Sequence, residues 1–419
     1  SDRTHAAVRE IQKIIDGKGL LAGSAASDTE MGPTLNTEIA HVMMLAVAVI
    51  FLILALTTNS WFEPVLFLTV MGVAIIIGMG TNLLFGQISF MSNAVGAVLQ
   101  LACSMDYSIF LLDSFTKEKA GGLEPEQAMA NALRTSVSSI SASGATTVVG
   151  FLALALMRFG IGRDMGFILA KSILCSLGTV LLLMPALILR NHGRIERTEH
   201  RPFMPSFHKM AEFAYHIRLP LTVLVALLVV PCYIGQGMSD FTYGNEALTN
   251  SPGMEIYENE QVMNEKFGRS NIMLALVPVG DNVTEKAMTD ELDGLPYVRM
   301  SLGLASALPS GIPEDFLPDS ITGQLHSENW ARVIVNVRSA GESNAAFRYT
   351  DEIRGIVQKY YPDAETYLLG VTPATQDIRE IITSDYSSVN VISLLGVALV
   401  VAITYKSLLL PLVVLIPIE

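Results

Sequence analysis

Charge is scarce in this chain: Asp, Glu, Lys and Arg make up 16% of its 419 residues, against 51% hydrophobic. That is too apolar for an ordinary soluble protein and too polar to be membrane throughout. Cysteine is scarcer still. Cys103, Cys175 and Cys232 all fall in apolar stretches, where a thiol acts as a small hydrophobe, so neither a disulfide framework nor a thiolate metal site is indicated. No G-x-x-x-x-G-K-[ST] run occurs, which removes the usual phosphate-cradling loop and points away from ATP as the energy source. His192, His200, His208 and His216 recur through one basic stretch, but too far apart for H-x-x-x-H zinc ligation. No metal and no cofactor is expected. A net charge of −13 argues against a nucleic-acid partner.

What the chain has in quantity is long apolar runs. Runs of the roughly 20 residues that cross a bilayer lie near 39–58, 64–85, 90–113, 134–157, 164–189, 219–238 and 386–405, and an eighth begins at 408. The segment between the fifth and sixth carries Arg190, Arg194, Arg197, Arg201, Lys209 and Arg218, and a basic loop of this kind marks the cytoplasmic side. Counting spans outward from it puts Lys117 and Lys119 inside and the region 239–385 outside. That region holds about two dozen carboxylates against about ten Lys and Arg, enough to account for nearly all the net charge. The chain starts at Ser1 without a signal-like segment and ends inside an apolar run, LPLVVLIPIE, so it is expected to be a fragment cut at both ends.

The acidic region has its own rhythm. Strand-like runs at 271–280, around PYVRMSL, at 330–338 and at ETYLLGV are interleaved with helix-like stretches, one running to about 293 and one over NAAFRYTDEIRGIVQKYY. The order is β-α-β-β-α-β, a ferredoxin-like split βαβ plan, with a Pro-, Gly- and acid-rich insertion at about 304–328.

Residue n laid beside residue n+347 exposes an internal repeat. Gly23 falls on Gly370, Val42 on Val389, Leu52 on Leu399, Ala55 on Ala402, Thr57 on Thr404, Ser60 on Ser407 and Pro64 on Pro411. Upstream, VREIQKIID resembles IRGIVQKYYPD. Both copies enter the membrane from the same side, so the repeat is parallel.

These features resemble the plan of resistance-nodulation-division transporters: two tandem halves, each with one span, a large outer domain and five more spans. Within that superfamily, SMDYSIFLLDSFTKEKAGG at 104–122 is similar to the fourth-span signature of the MMPL group, and ANALRTSVSSISASGATTVVGFLAL resembles its small-residue fifth span. Many relatives carry a basic residue shortly after the Asp-Tyr pair, where this chain has Asp113. The resemblance implies a polytopic α-helical membrane bundle with a tandem pseudo-repeat, plus an α+β extracytoplasmic porter domain. In those terms 1–38 is the end of a first outer domain and 39–190 holds spans two to six. A cytoplasmic basic loop occupies 191–218, span seven 219–238, a second outer domain 239–385, and span eight with the start of nine 386–419.

Asp106 is the residue of most consequence. An unpaired, ionised carboxylate in a spanning helix costs several kcal/mol, so it is expected to face the bundle interior and to act there. Desolvation brings such a group into the range where it exchanges a proton. The expected relay is Asp106 as proton acceptor, Tyr107 donating a hydrogen bond to a carboxylate of the partner half, and Asp113 either as a proton exit or as a solvated helix end. Helical spacing puts Ser92, Gly96, Cys103 and Asp106 on one face and Asn93, Gln100, Ser104 and Tyr107 on the next. Gln100, Ser104, Thr146 and Thr147 form the polar lane near the relay. Ser138, Ser139, Ser141, Ser143 and Gly144 suit close helix packing or a hydrated path. Arg158 and Arg163 read as interfacial anchors, and Lys171 either pairs with Asp164 on its own helix or snorkels outward.

The resulting expectation is a proton-driven secondary transporter in the cell membrane of a prokaryote. Its partners are the lipid bilayer, protons and a lipidic or amphipathic cargo, and its assembly anything from monomer to trimer. Two alternatives compete: a protein-translocation factor of the SecD/SecF kind, and a sterol-sensing or receptor-like membrane protein.

Overall fold

A computed structural model describes residues 2–15, 18–200, 212–213, 215–236, 238, 241–244, 255–307 and 318–415. Much of the basic loop, and residues 308–317 of the insertion, lie outside the described residues. In chain order the elements begin with α1 (Asp2–Ile15), α2 (Ser24–Thr57), α3 (Glu63–Gly80), α4 (Phe90–Ala120), α5 (Pro125–Leu154), α6 (Gly160–Arg197) and α7 (Arg218–Gln236). They continue with α8 (Glu255–Phe267), β1 (Asn271–Pro278), α9 (Asn282–Asp293), β2 (Val298–Leu302), β3 (Trp330–Val337), α10 (Asn344–Tyr360), β4 (Tyr367–Gly370), α11 (Val371–Tyr405) and α12 (Leu409–Leu415). Among the described residues seven helices are long and apolar enough to cross a membrane: α2 from Thr37 on, α3 with the 3-10 turn that follows it, α4, α5, α6, α7 and α11. The eighth run is represented by α12, and 416–419 lie outside the described residues.

The chain divides into two compact units, one of Ser1–Leu35 with Met238–Glu380 and one of Asn36–Gly237 with Ile381–Glu419. The second unit is a helical bundle whose core is built by α3, α4, α5 and α6. Phe67, Val70 and Met71 of α3, Leu101 and Leu111 of α4, Met129 and Ile140 of α5, and Ile173, Val180 and Met184 of α6 are buried together. Small residues bring the helices close. A Cβ on Gly166 of α6 would lie 2.8 Å from the Phe151 carbonyl oxygen and 2.9 Å from the Ala155 Cα, so α5 and α6 touch backbone to backbone there. The turn between α2 and α3 is tied to the far end of α6, where Ser60 Oγ donates to the Ile195 carbonyl at 3.0 Å and lies 2.7 Å from Thr198 Oγ1.

In the first unit four strands form one sheet in the order β2-β3-β1-β4, every adjacent pair antiparallel. Alternation along the strands buries one face: Met273, Ala275 and Val277 of β1 and Ala331, Val333, Val335 and Val337 of β3 pack beneath Met288 and Leu292 of α9 and Ile353 and Val357 of α10. The helices begin where side chains cap them, since Asp281 accepts from Thr284 N at 2.9 Å and Ser343 from Ala346 N at 3.1 Å. The bond donated by the Thr284 hydroxyl, and then that from its backbone N–H, holds the Asp281 carboxyl below the usual carboxylate range.

Two glycines introduce the long helices. Gly23 (φ 120°) precedes α2 and Gly370 (φ 143°) precedes α11, conformations open to glycine and costly for other residues. Near the ends of these helices, Thr57 donates to the Ile53 carbonyl at 2.9 Å and Thr404 to the Val400 carbonyl at 2.8 Å.

Candidate functional site

The candidate residues sit on α4 and on the helices around it. The helix starts just after Ser89, whose backbone N–H donates to Asp164 Oδ2 of α6 at 2.8 Å. The carboxylate expected as a partner for Lys171 is therefore engaged with another helix. Lys171 is not paired with Asp164. Its ammonium closes the end of α3, donating to the Gly78 carbonyl at 2.6 Å and to Asn82 Oδ1, and lies 5.6 Å from the centre of the Phe85 ring. The reason is the α3 C-terminus: its last carbonyls lack helical partners and carry partial negative charge, and a cation from the neighbouring helix satisfies both. Asn82 in turn donates to Asn93 Oδ1 of α4 at 2.8 Å.

One face of α4 is turned into the bundle. Ser92, Gly96, Gln100, Ser104, Tyr107 and Ser108 are buried along it. Ser104 Oγ donates to Ser176 Oγ of α6 at 2.7 Å, Ser176 lies 3.4 Å from the Gln100 carbonyl, and the Gln100 amide donates to the Ala74 carbonyl of α3 at 2.6 Å. These bonds knit three spans together. Tyr107 is 6% exposed. Its hydroxyl faces α5, lying against Thr147 and 3.7 Å from where a Cβ on Gly144 would stand. Thr147 and Thr146 both donate to the Ser143 carbonyl, at 3.0 and 2.8 Å.

Asp106 stands on another side of the helix. Two residues amount to about 200° of rotation, so while Ser104 is buried, Asp106 is exposed, along a flank with Val95, Ala102, Phe110 and Asp113. The lane drawn from spacing thus divides. Ser92 and Gly96 pack inward, Cys103 is half-buried and Asp106 points away from the other bundle helices. Gln100 and Ser104 bond to other helices instead; Cys103 and Tyr107 of the same helix neighbour Asp106, and Tyr107 meets Thr147 of α5. Asp113 is exposed, paired with Lys117 one turn on at 2.5 Å. On α5, Ser138, Ser139 and Ser143 are exposed and Ser141 is half-buried, while Gly144 is buried.

Sequence reasoning missed one tight contact. Arg158, read as an interfacial anchor, is bound through its side chain and backbone N–H to Asp385 of α11. The two are 227 positions apart, and no local spacing signals the pair.

The chain matches the MMPL family over residues 2–207 and 299–419. It is 32% identical over 120 residues to a membrane protein of Methanocaldococcus jannaschii, covering 29% of each chain. Two membrane proteins of Streptomyces coelicolor are also similar. One is 28% identical over 155 residues, 36% of this chain and 22% of the relative, and the other 25% identical over 304 residues, 69% of this chain and 40% of the relative. The matched region is less than half the length of each relative.

Proposed function

The chain belongs to the MMPL family, and from that premise we propose that it works in a secondary transporter driven by the proton-motive force, with Asp106 as the intramembrane proton acceptor. The cargo is a lipid or another hydrophobic or amphipathic compound, taken up through the α+β unit acting as an extracytoplasmic porter domain. The sequence repeat supports reading the bundle as one of two related halves, and Gly23 and Gly370, which it pairs, each precede a long helix with φ in the glycine region.

The observation that carries this reading is the setting of Asp106. A carboxylate lies midway along an apolar spanning helix, on a flank that the other helices of the bundle leave open. A side chain so placed is costly to keep charged against lipid, and the cost falls when it takes a proton or meets a partner helix. Protonation therefore changes which surface of α4 is tolerated against an apolar neighbour, which is the differential interaction a proton needs in order to shift a conformational equilibrium. Tyr107 is the adjoining element: packed on Thr147, it ties the register of α4 to α5.

The test is gradient-driven flux of a fluorescent amphiphile by the full-length protein in lipid vesicles, comparing wild type with Asp106→Asn. Loss of flux, with the folded protein still present by size-exclusion chromatography, is expected. Unchanged flux would sink the assignment.

A further inference from the structure

One carboxylate joins α11 to the turn between α5 and α6. Asp385 Oδ2 accepts from the backbone N–H of Arg158 at 2.7 Å and of Phe159 at 3.4 Å, and Oδ1 accepts from Arg158 Nε at 2.8 Å. The other arm of the guanidinium donates to Ser384 Oγ at 2.9 Å. The side chain of Asp385 is 9% exposed, that of Arg158 65%. Charge-assisted bonds of this kind are among the strongest and most directional in proteins.

Farther along the same helix the contacts are small and weakly specific. Ser393 Oγ lies 3.6 Å from where a Cβ on Gly150 would stand, and Gly396 rests against Val149. Small-residue contacts let helices approach closely but tolerate sliding, so the polar joint is what fixes the register of α11 on α5. Val149 and Gly150 lie within one turn of Thr147, which contacts Tyr107 beside Asp106. A second observation comes from the repeat. Thr37 and Glu38 stand 347 positions before Ser384 and Asp385, so the pairing of a hydroxyl with an acid recurs at the matching point of α2.

We propose that Asp385 and Arg158 are positioning residues: their joint sets the axial register of α11 on the α5–α6 hairpin, and through Thr147 the position of Tyr107 and Asp106. The influence on transport rests on the function proposed above, whereas the joint itself does not.

Crosslinking separates the two. In the full-length protein with every native cysteine, Cys103, Cys175 and Cys232 among them, replaced by alanine, Gly150→Cys and Ser393→Cys put two thiols at a spacing a disulfide can bridge. The rate of copper-catalysed crosslinking in membranes then reports the register without reference to transport. Asp385→Asn and Arg158→Ala are each expected to slow it about tenfold, and Arg158→Lys, which keeps the charge and the backbone donor, less. Asp385→Asn is also expected to lower gradient-driven flux while the amount of folded protein holds. Asp106→Asn is expected to leave the crosslinking rate unchanged. Crosslinking as fast in Asp385→Asn and Arg158→Ala as in the parent overturns the joint. Slowed crosslinking together with full flux in Asp106→Asn keeps the joint and removes the proton reading.

Discussion

Glu291, Lys359 and Tyr360 form a small polar cluster between α9 and α10, with Lys359 Nζ 2.7 and 2.8 Å from the two carboxylate oxygens and Tyr360 donating to Oε2 at 2.6 Å. The bond from Lys359, and then that from Tyr360, holds the Glu291 carboxyl below the usual carboxylate range, and Glu291 in turn holds the Lys359 amine above its ordinary value. A depressed acid stabilises the fold above its unfolded pKa and ceases to as pH falls through the folded one. A raised amine does so below its unfolded pKa and loses the effect as pH rises through the folded one. Neutral pH lies on the plateau between. Glu291→Gln is therefore expected to lower the unfolding midpoint of this unit modestly at pH 7, and the difference should fade as acid takes the pH below the depressed folded value of Glu291. With every tryptophan but Trp330 replaced by phenylalanine in both proteins, Trp330 fluorescence reports this unit alone; a difference that persists in acid contradicts the pairing. At this scale the sequence was only partly legible. Spacing identified Gln100 and Ser104 as polar positions on α4, but not that they serve α3 and α6 instead of Asp106. It suggested Asp164 for Lys171 because it sees neighbours on one helix, whereas both residues found their partners on others.

The long helices show where hydropathy stops being informative. The apolar runs begin near 39 and 386, yet α2 begins at Ser24 and α11 at Val371. In both cases the first four turns are polar, SAASDTEMGPTLNTE and VTPATQDIREIITSD, and hydropathy registers the bilayer, not the helix. The strands were easier to read, because alternation along β1 and β3 marks one buried face directly. The glycines that start the long helices differ in a way that can be measured. At Gly370 a Cβ would lie 2.9 Å from the Ile272 carbonyl oxygen, whereas at Gly23 nothing stands within 4 Å. Gly23→Ala then costs backbone strain alone, about 1 kcal/mol, while Gly370→Ala adds a clash with β1 for a total of about 2–3 kcal/mol. Thermal unfolding in detergent should rank them in that order, and equal losses would mean that β1 yields to the methyl group.

For the whole molecule, charge carries the orientation. The described ends of α4 and α6 that share one side hold Lys117, Lys119, Arg190, Arg194 and Arg197, with Lys119 bonded to Glu196 at 2.7 Å, and the acidic α+β unit follows an odd number of spans later. An excess of Lys and Arg in short loops keeps those loops in the cytoplasm, while acidic residues contribute little. That expectation can be stated from the sequence alone, since it needs only the order of runs and charges. The side on which Asp106 lies cannot be, because that depends on which helices cover α4. The orientation predicts opposite labelling of two exposed positions once every native cysteine is replaced. Glu328→Cys, before β3, should react with an impermeant maleimide on intact cells, and Glu124→Cys, between α4 and α5, only after the membrane is permeabilised. Labelling of both from the same side would contradict the three spans that separate them, and the swapped pattern would invert the orientation.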